Sequence, residues 1–116
     1  MIQKKIYGCP FETLAITQDV PNTDLVKYFF VKETEDTIVF TYKLAEKDIV
    51  YGLGEMMGGL NKRGGRYIAL NTDTANHSDE NPSLYSSHNF LIVDGNDHFG
   101  IFFDTPAKVT FEIDYE

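Results

Sequence analysis

Apolar side chains in this chain recur at every second residue, and nowhere do they recur at the third-and-fourth spacing of a helix over ten residues or more. In residues 107–115, Val109, Phe111, Ile113 and Tyr115 alternate with Thr110, Glu112 and Asp114. In residues 37–44, Ile38, Phe40, Tyr42 and Leu44 share one parity. A period of two places such residues on one face of an extended strand, whereas a helix would scatter them around its circumference. This is the pattern of antiparallel strands with one covered face. Residues 25–32, 89–93 and 99–103 are denser apolar runs of strand length, suited to strands covered on both faces.

Turn signals separate these runs. Pro21-Asn22 and residues 33–36 break the chain before and after one of them. Asp94-Gly95-Asn96-Asp97 lies between two others and reads as a tight hairpin loop, with Asp-Gly and Gly-Asn supplying positive φ. Residues 13–20 and 43–50 have room for a helical turn or two. Many short strands with regular turns predict an all-β, antiparallel β-sandwich. The length, 116 residues, suits one domain spanning 1–116.

Two stretches break the alternation. Residues 52–65 hold six glycines, and residues 71–83 (NTDTANHSDENPS) are polar almost throughout. Loops of that length in a compact domain are usually functional or disordered. Gly52-Leu53-Gly54 begins like a dinucleotide-binding loop, but Met57 stands where the third glycine belongs and no helix follows to receive a phosphate. Asp73, His77, Asp79 and Glu80 offer metal-ligating atoms without a spacing that fixes a coordination geometry, so a polar loop is the simpler reading. The Asp94–His98 stretch lacks the later bidentate acid of a calcium loop. Ser87 and His88 are strand neighbours and diverge to opposite faces, which breaks a nucleophile–base pair. No metal and no cofactor are expected.

Charge and cysteine content narrow the setting. The chain carries 18 acidic and 10 basic residues, a formal net charge of -8. That field repels phosphate backbones, which argues against nucleic-acid partners. No apolar run approaches the length of a membrane span, and the amino terminus lacks the apolar core of a signal peptide. Cys9 is the only cysteine. The expectation is a soluble, cytoplasmic protein.

Spacing alone stops there, but the order of short motifs goes further. Tyr51-Gly52-Leu53-Gly54-Glu55 is followed by Leu60-Asn61-Lys62-Arg63-Gly64, then Arg66-Tyr67, then Asn71-Thr72-Asp73. Downstream come Leu84-Tyr85-Ser86-Ser87-His88-Asn89-Phe90 and Phe99-Gly100-Ile101-Phe102-Phe103-Asp104. In this order the series resembles the amino-terminal, galactose mutarotase-like β-sandwich of glycoside hydrolase family 31, over about half of the chain (48–104). Each piece is weak alone, and the ordered set is specific.

The resemblance implies a role for the parent protein. In that family the sandwich packs on a (β/α)8 barrel whose two aspartates perform retaining hydrolysis of α-glucosides. No position here matches either catalytic motif, so this chain by itself is expected to be inactive. The resemblance also implies that a loop carrying an acidic side chain reaches the +1 sugar. Asp73 stands at that position, flanked by Thr72 and Thr74. A carboxylate suits the task because it accepts charge-assisted bonds from two hydroxyls. Glu55, Arg63 and Arg66 match the motif as a structural network that holds the loops. The implied partners are an α-linked gluco-oligosaccharide or disaccharide and the intramolecular barrel. A domain cut away from its barrel is also expected to self-associate. The family includes α-xylosidases and sulfoquinovosidases, which this domain does not separate. The alternatives are a stand-alone carbohydrate-binding module, with Tyr67 or Tyr85 as its aromatic platform, and a purely structural interaction domain.

Overall fold

The computed structural model describes residues 2–9, 29–56, 58–70 and 86–116. They fall in two compact units, Met1–Lys43 and Leu44–Glu116. Among the described residues every regular element is a strand and every pairing is antiparallel, as the period of two leads one to expect.

The first unit is built on a hairpin. Strands β1 (Phe30–Glu33) and β2 (Ile38–Thr41) pair from Phe30 opposite Thr41 to Glu33 opposite Ile38. Thr34 closes the turn twice, its N–H donating to Thr37 O at 2.8 Å and its hydroxyl accepting from Thr37 N at 3.1 Å. Around the hairpin, Phe29 is buried beside the Tyr42 ring and Tyr7 meets Phe40 edge-on at 5.5 Å. Of the apolar run 25–32, residues 30–32 belong to β1, and residues 25–28 lie outside the described residues.

The described residues of the second unit form five strands: β3 (Ile49–Gly54), β4 (Gly65–Ala69), β5 (Ser87–Asp94), β6 (His98–Phe102) and β7 (Val109–Ile113). They form a three-stranded sheet in the order β3-β5-β6 and a two-stranded sheet, β4-β7. Val50, Leu53 and Val93 from the first sheet and Ala69, Phe111 and Ile113 from the second are the buried core of this unit. Phe103, just beyond β6, meets Phe111 of β7 with ring centroids 5.8 Å apart. The alternation along β7 is the one read from sequence, with Phe111 and Ile113 buried and Thr110 and Glu112 exposed. It stops at Asp114, where φ is +53° and the chain leaves the sheet.

Three sequence expectations change. Residues 52–65 are not one loop, because β3 runs into the stretch as far as Gly54 and β4 begins at Gly65. Glycine is a poor strand former by propensity, yet here it lets backbones touch. A Cβ on Gly52 would lie 2.5 Å from the Phe90 carbonyl oxygen of the neighbouring strand. Residues 43–50 form a single turn, Asp48 N to Ala45 O at 3.2 Å, and then enter β3. The β5–β6 hairpin forms as expected, but Gly95 is absent from the positive-φ residues. Its lack of a side chain serves space instead, since a Cβ there would overlap Asp48 Oδ1.

Candidate functional site

Strand β4 ends at Ala69, and Leu70 leads out of the sheet at an exposed position. The described chain resumes at Ser86 and enters β5 at once. Between these two points lies an open cavity of about 350 Å³, lined by Ala69, Leu70, Ser87, Asn89, Thr105, Pro106 and Ala107. Among the described residues of this lining, no side chain is charged. Asn89 ties the far wall to β5: its side-chain amide donates to Thr105 O at 3.3 Å, and its backbone carbonyl accepts from Phe103 N at 2.9 Å. These described groups can exchange hydrogen bonds with a neutral ligand.

Strand β3 is irregular where it pairs with the start of β5. Gly52 pairs with Leu91, yet Gly54 pairs with Ser87, so two steps along β3 match four along β5. Three consecutive residues take positive φ: Gly52 (+117°), Leu53 (+70°) and Gly54 (+75°). Leu53 is fully buried, and core packing holds it in a backbone region that non-glycine residues avoid. The bend carries Glu55 to Ser86. The Glu55 N–H donates to Ser86 O at 2.7 Å, and Glu55 Oε2 accepts from Ser86 N at 3.2 Å. Ser86 Oγ also lies 3.5 Å from His88 Nε2 on the exposed surface, two residues apart on the strand.

The motif Asn61-Lys62-Arg63-Gly64 organises the opposite end of β3. Asn61 Oδ1 accepts from Val50 N and Arg63 N, each at 3.2 Å. Lys62 N donates to Val50 O at 2.8 Å, which seats the loop along the strand. Arg63 Nη1 donates to three carbonyls of the 45–48 turn, those of Ala45, Glu46 and Asp48, at 2.8 to 2.9 Å. Its Nε and Nη2 both reach Asp114 Oδ2 beyond β7. Gly64, at φ +78°, then returns the chain to the sheet through Gly64 N to Ile113 O at 2.7 Å. One guanidinium fork therefore joins a turn, a loop and the end of a strand, a task a point charge cannot do.

Lys62 and Tyr67 form a second pair beside it. Lys62 is buried, with Nζ 5.5 Å from the centre of the Tyr67 ring. The Tyr67 hydroxyl donates to Lys62 O at 3.1 Å. Burial lowers the pKa of the Lys62 ammonium and raises that of the Tyr67 phenol, since both charged forms lose water. Tyr67 is thus committed to Lys62 and to Gly65, where a Cβ would meet its ring. That occupancy counts against Tyr67 as an open sugar platform, and Tyr85 lies outside the described residues. Asp48 completes the region: it is buried, Oδ2 accepts from Ala45 N at 2.8 Å, and Oδ1 is without a hydrogen-bond partner against Gly95.

The residues singled out from sequence are placed unevenly. Asp73, Thr72 and Thr74 lie outside the described residues, as do His77, Asp79 and Glu80. Glu55, Arg63 and Arg66 each have a separate partner: Ser86, the Asp114 and 45–48 cluster, and Glu112 at 3.3 Å respectively. Arg66 and Glu112 are a cross-strand pair exposed on both sides, worth little. Asp48 and Asp114 were not singled out from sequence, Asn61 and Ser86 entered only as parts of motifs, and Tyr67 only as the aromatic platform of the alternative reading. Asp48, Asn61 and Tyr67 each have a partner within five positions, but Asp114 is 51 positions from Arg63 and Ser86 is 31 from Glu55, and no local pattern announces those two pairs. Among the described residues, no group of three or more His, Cys, Asp or Glu is placed to hold a metal ion. No described helix is long and apolar enough to cross a membrane.

Comparison with known proteins agrees with the motif order. Residues 12–112 match the glycosyl hydrolase 31 N-terminal galactose mutarotase-like domain. The chain is also 39% identical over 92 residues to Alpha-glucosidase 2 of Bacillus thermoamyloliquefaciens, an alignment that covers 71% of this chain and 12% of that protein. It therefore spans only a small part of the length of that relative. The family match, the all-antiparallel strands and the seating of the Gly-Leu-Gly-Glu and Asn-Lys-Arg-Gly motifs agree: this chain belongs to the glycosyl hydrolase 31 N-terminal galactose mutarotase-like domain family.

Proposed function

We propose that this domain is the non-catalytic amino-terminal part of a retaining α-glycosidase of the α-glucosidase type. Its substrate would be an α-linked gluco-oligosaccharide or disaccharide, cleaved by two aspartates on an intramolecular (β/α)8 barrel. The domain's share in this reading is a substrate contact: Asp73, flanked by Thr72 and Thr74, accepts hydrogen bonds from hydroxyls of the +1 sugar. The similarity to Alpha-glucosidase 2 carries the proposal. The cavity beside Leu70 and Ser87, whose described lining is uncharged, is compatible with a neutral ligand nearby. A cytoplasmic setting is part of the same proposal, supported by the single unpaired thiol of Cys9.

In the complete enzyme, Asp73→Ala raises KM for maltose or isomaltose about tenfold, with kcat changed much less, because a binding contact is removed and the catalytic pair is intact. Unchanged kinetics on every disaccharide removes Asp73 from the site. The isolated chain turns over no aryl α-glucoside and gives no calorimetric heat with maltose. Binding by the isolated chain would favour a free-standing carbohydrate-binding module instead.

A further inference from the structure

We propose that Glu55 is a positioning residue. With the Gly52-Leu53-Gly54 bend, it fixes Ser86 at the start of β5. The first support is reciprocity. Glu55 and Ser86 are held by two bonds running in opposite directions, Glu55 N to Ser86 O at 2.7 Å and Ser86 N to Glu55 Oε2 at 3.2 Å. Two bonds of opposite sense define a position and an orientation, where one would leave a hinge.

The second support is the backbone that brings Glu55 there. A Cβ on Gly54 would lie 2.8 Å from Ser86 O and 2.9 Å from His88 N, so only glycine allows the approach. Leu53 beside it keeps φ at +70° while contributing a fully buried side chain. Strain of this kind persists where the surroundings over-determine the geometry, and it clusters at positions with a task.

The third support is magnitude. Glu55 and Ser86 are both exposed, so the side-chain bond contributes little to global stability. A costly backbone that delivers a cheap contact is better explained by placement than by stability. For function, the hook rests on the sugar-contact reading above, because Ser86 directly follows in sequence the stretch that contains Asp73.

Amide hydrogen exchange on the 116-residue chain tests the hook by itself. In Glu55→Ala and Glu55→Asp, the Ser86 amide exchanges at least tenfold faster, while the Val93 amide and the urea midpoint are unchanged. Glu55→Gln, which keeps an acceptor oxygen at the same reach, restores slow exchange. Unchanged Ser86 exchange in Glu55→Ala, or a rise in step with Val93, overturns the proposal. Kinetics of the complete enzyme test the link to function. Glu55→Ala raises KM for a disaccharide without lowering kcat, and Glu55→Gln recovers it. If Asp73→Ala raises KM and Glu55→Ala does not, the positioning role is overturned and the sugar contact stands. If Asp73→Ala is silent while Ser86 exchange responds to Glu55, the sugar-contact reading fails and the hook stands.

Discussion

Arg63 Nη2 and Asp114 Oδ2 meet at 2.8 Å across a sequence separation of 51 residues. The same guanidinium also holds three carbonyls of the 45–48 turn, so the contact joins elements that share no ladder. Its two ends differ in exposure, 20% for the Arg63 side chain and 58% for Asp114, and this sets their relative importance.

Removing the fork costs more than removing its exposed acid. Arg63→Ala leaves three carbonyls without their donor and destabilises the domain by about 3 kcal/mol. Arg63→Lys keeps the charge but loses the fork, at a cost of about 2 kcal/mol. Asp114→Asn costs under about 1 kcal/mol, as solvent screens the exposed partner. Urea midpoints rank the three variants, and equal losses for Arg63→Ala and Asp114→Asn would mean that the carbonyl contacts contribute nothing.

Gly95 and Asp48 are coupled by space. A methyl at position 95 would overlap Asp48 Oδ1, a buried atom without a hydrogen-bond partner. Gly95→Ala destabilises by about 2 kcal/mol, the range for overpacking a filled site. In an Asp48→Ala background the same substitution costs at least about 1 kcal/mol less, because the obstructing oxygen is gone. A double-mutant cycle read by thermal unfolding checks the coupling, and additive losses refute it.

Alkaline stability responds to Lys62 and Tyr67 with opposite signs. Between the lowered folded pKa of Lys62 and its ordinary 10.5, the unfolded chain binds more protons, so stability rises with pH. Between the ordinary 10.0 of Tyr67 and its raised folded pKa, the folded chain keeps a proton the unfolded chain has lost, so stability falls. Tyr67→Phe therefore gives a profile that climbs more steeply than the parent as pH increases. Lys62→Met gives one that falls more steeply. Tyr67→Phe also lowers the baseline by about 1 kcal/mol through loss of the bond to Lys62 O. Urea unfolding in a series of alkaline buffers measures both slopes, and identical slopes in all three proteins refute the assignment.

Association of the isolated chain is expected through the outer face of the β3-β5-β6 sheet. Phe90 and Phe102 are directly paired across β5 and β6 and are 41% and 62% exposed, with Ile92 on the same face. Contiguous apolar surface of this kind drives self-contact. Sedimentation velocity shows a mass that grows from micromolar to millimolar concentration, and Phe102→Lys lowers it. A parent chain that is monomeric throughout refutes the expectation.

Strand β7 lies within two residues of where its alternation puts it, and β5 and β6 lie within a residue or two of their dense apolar runs. Neither β5 nor β6 is covered on both faces as those runs suggested, since Phe90, Ile92 and Phe102 are exposed. Strands β3 and β4 were hidden in the glycine-rich stretch. There, close backbone approach at Gly52 and Gly54, not side-chain pattern, decides the structure. Glu55, Arg63 and Arg66 were legible as motif charges, but their separate partners were not, because Ser86, Asp114 and Glu112 are set by the fold and not by neighbouring sequence. The hairpin at Asp94 was found for a partial reason: the turn is there, but Gly95 makes room for Asp48 instead of supplying positive φ.

Leu53 has a consequence for how this sequence can change. Its backbone asks for glycine and its side chain asks for a large aliphatic group, and no single coded residue meets both demands. Glycine would relieve φ and empty the centre of the core, while valine or isoleucine would fill the core and suffer most at positive φ. Drift at this position is blocked in both directions, so a saturation scan will find it far narrower in what it tolerates than Ile49 or Tyr51 on the same strand.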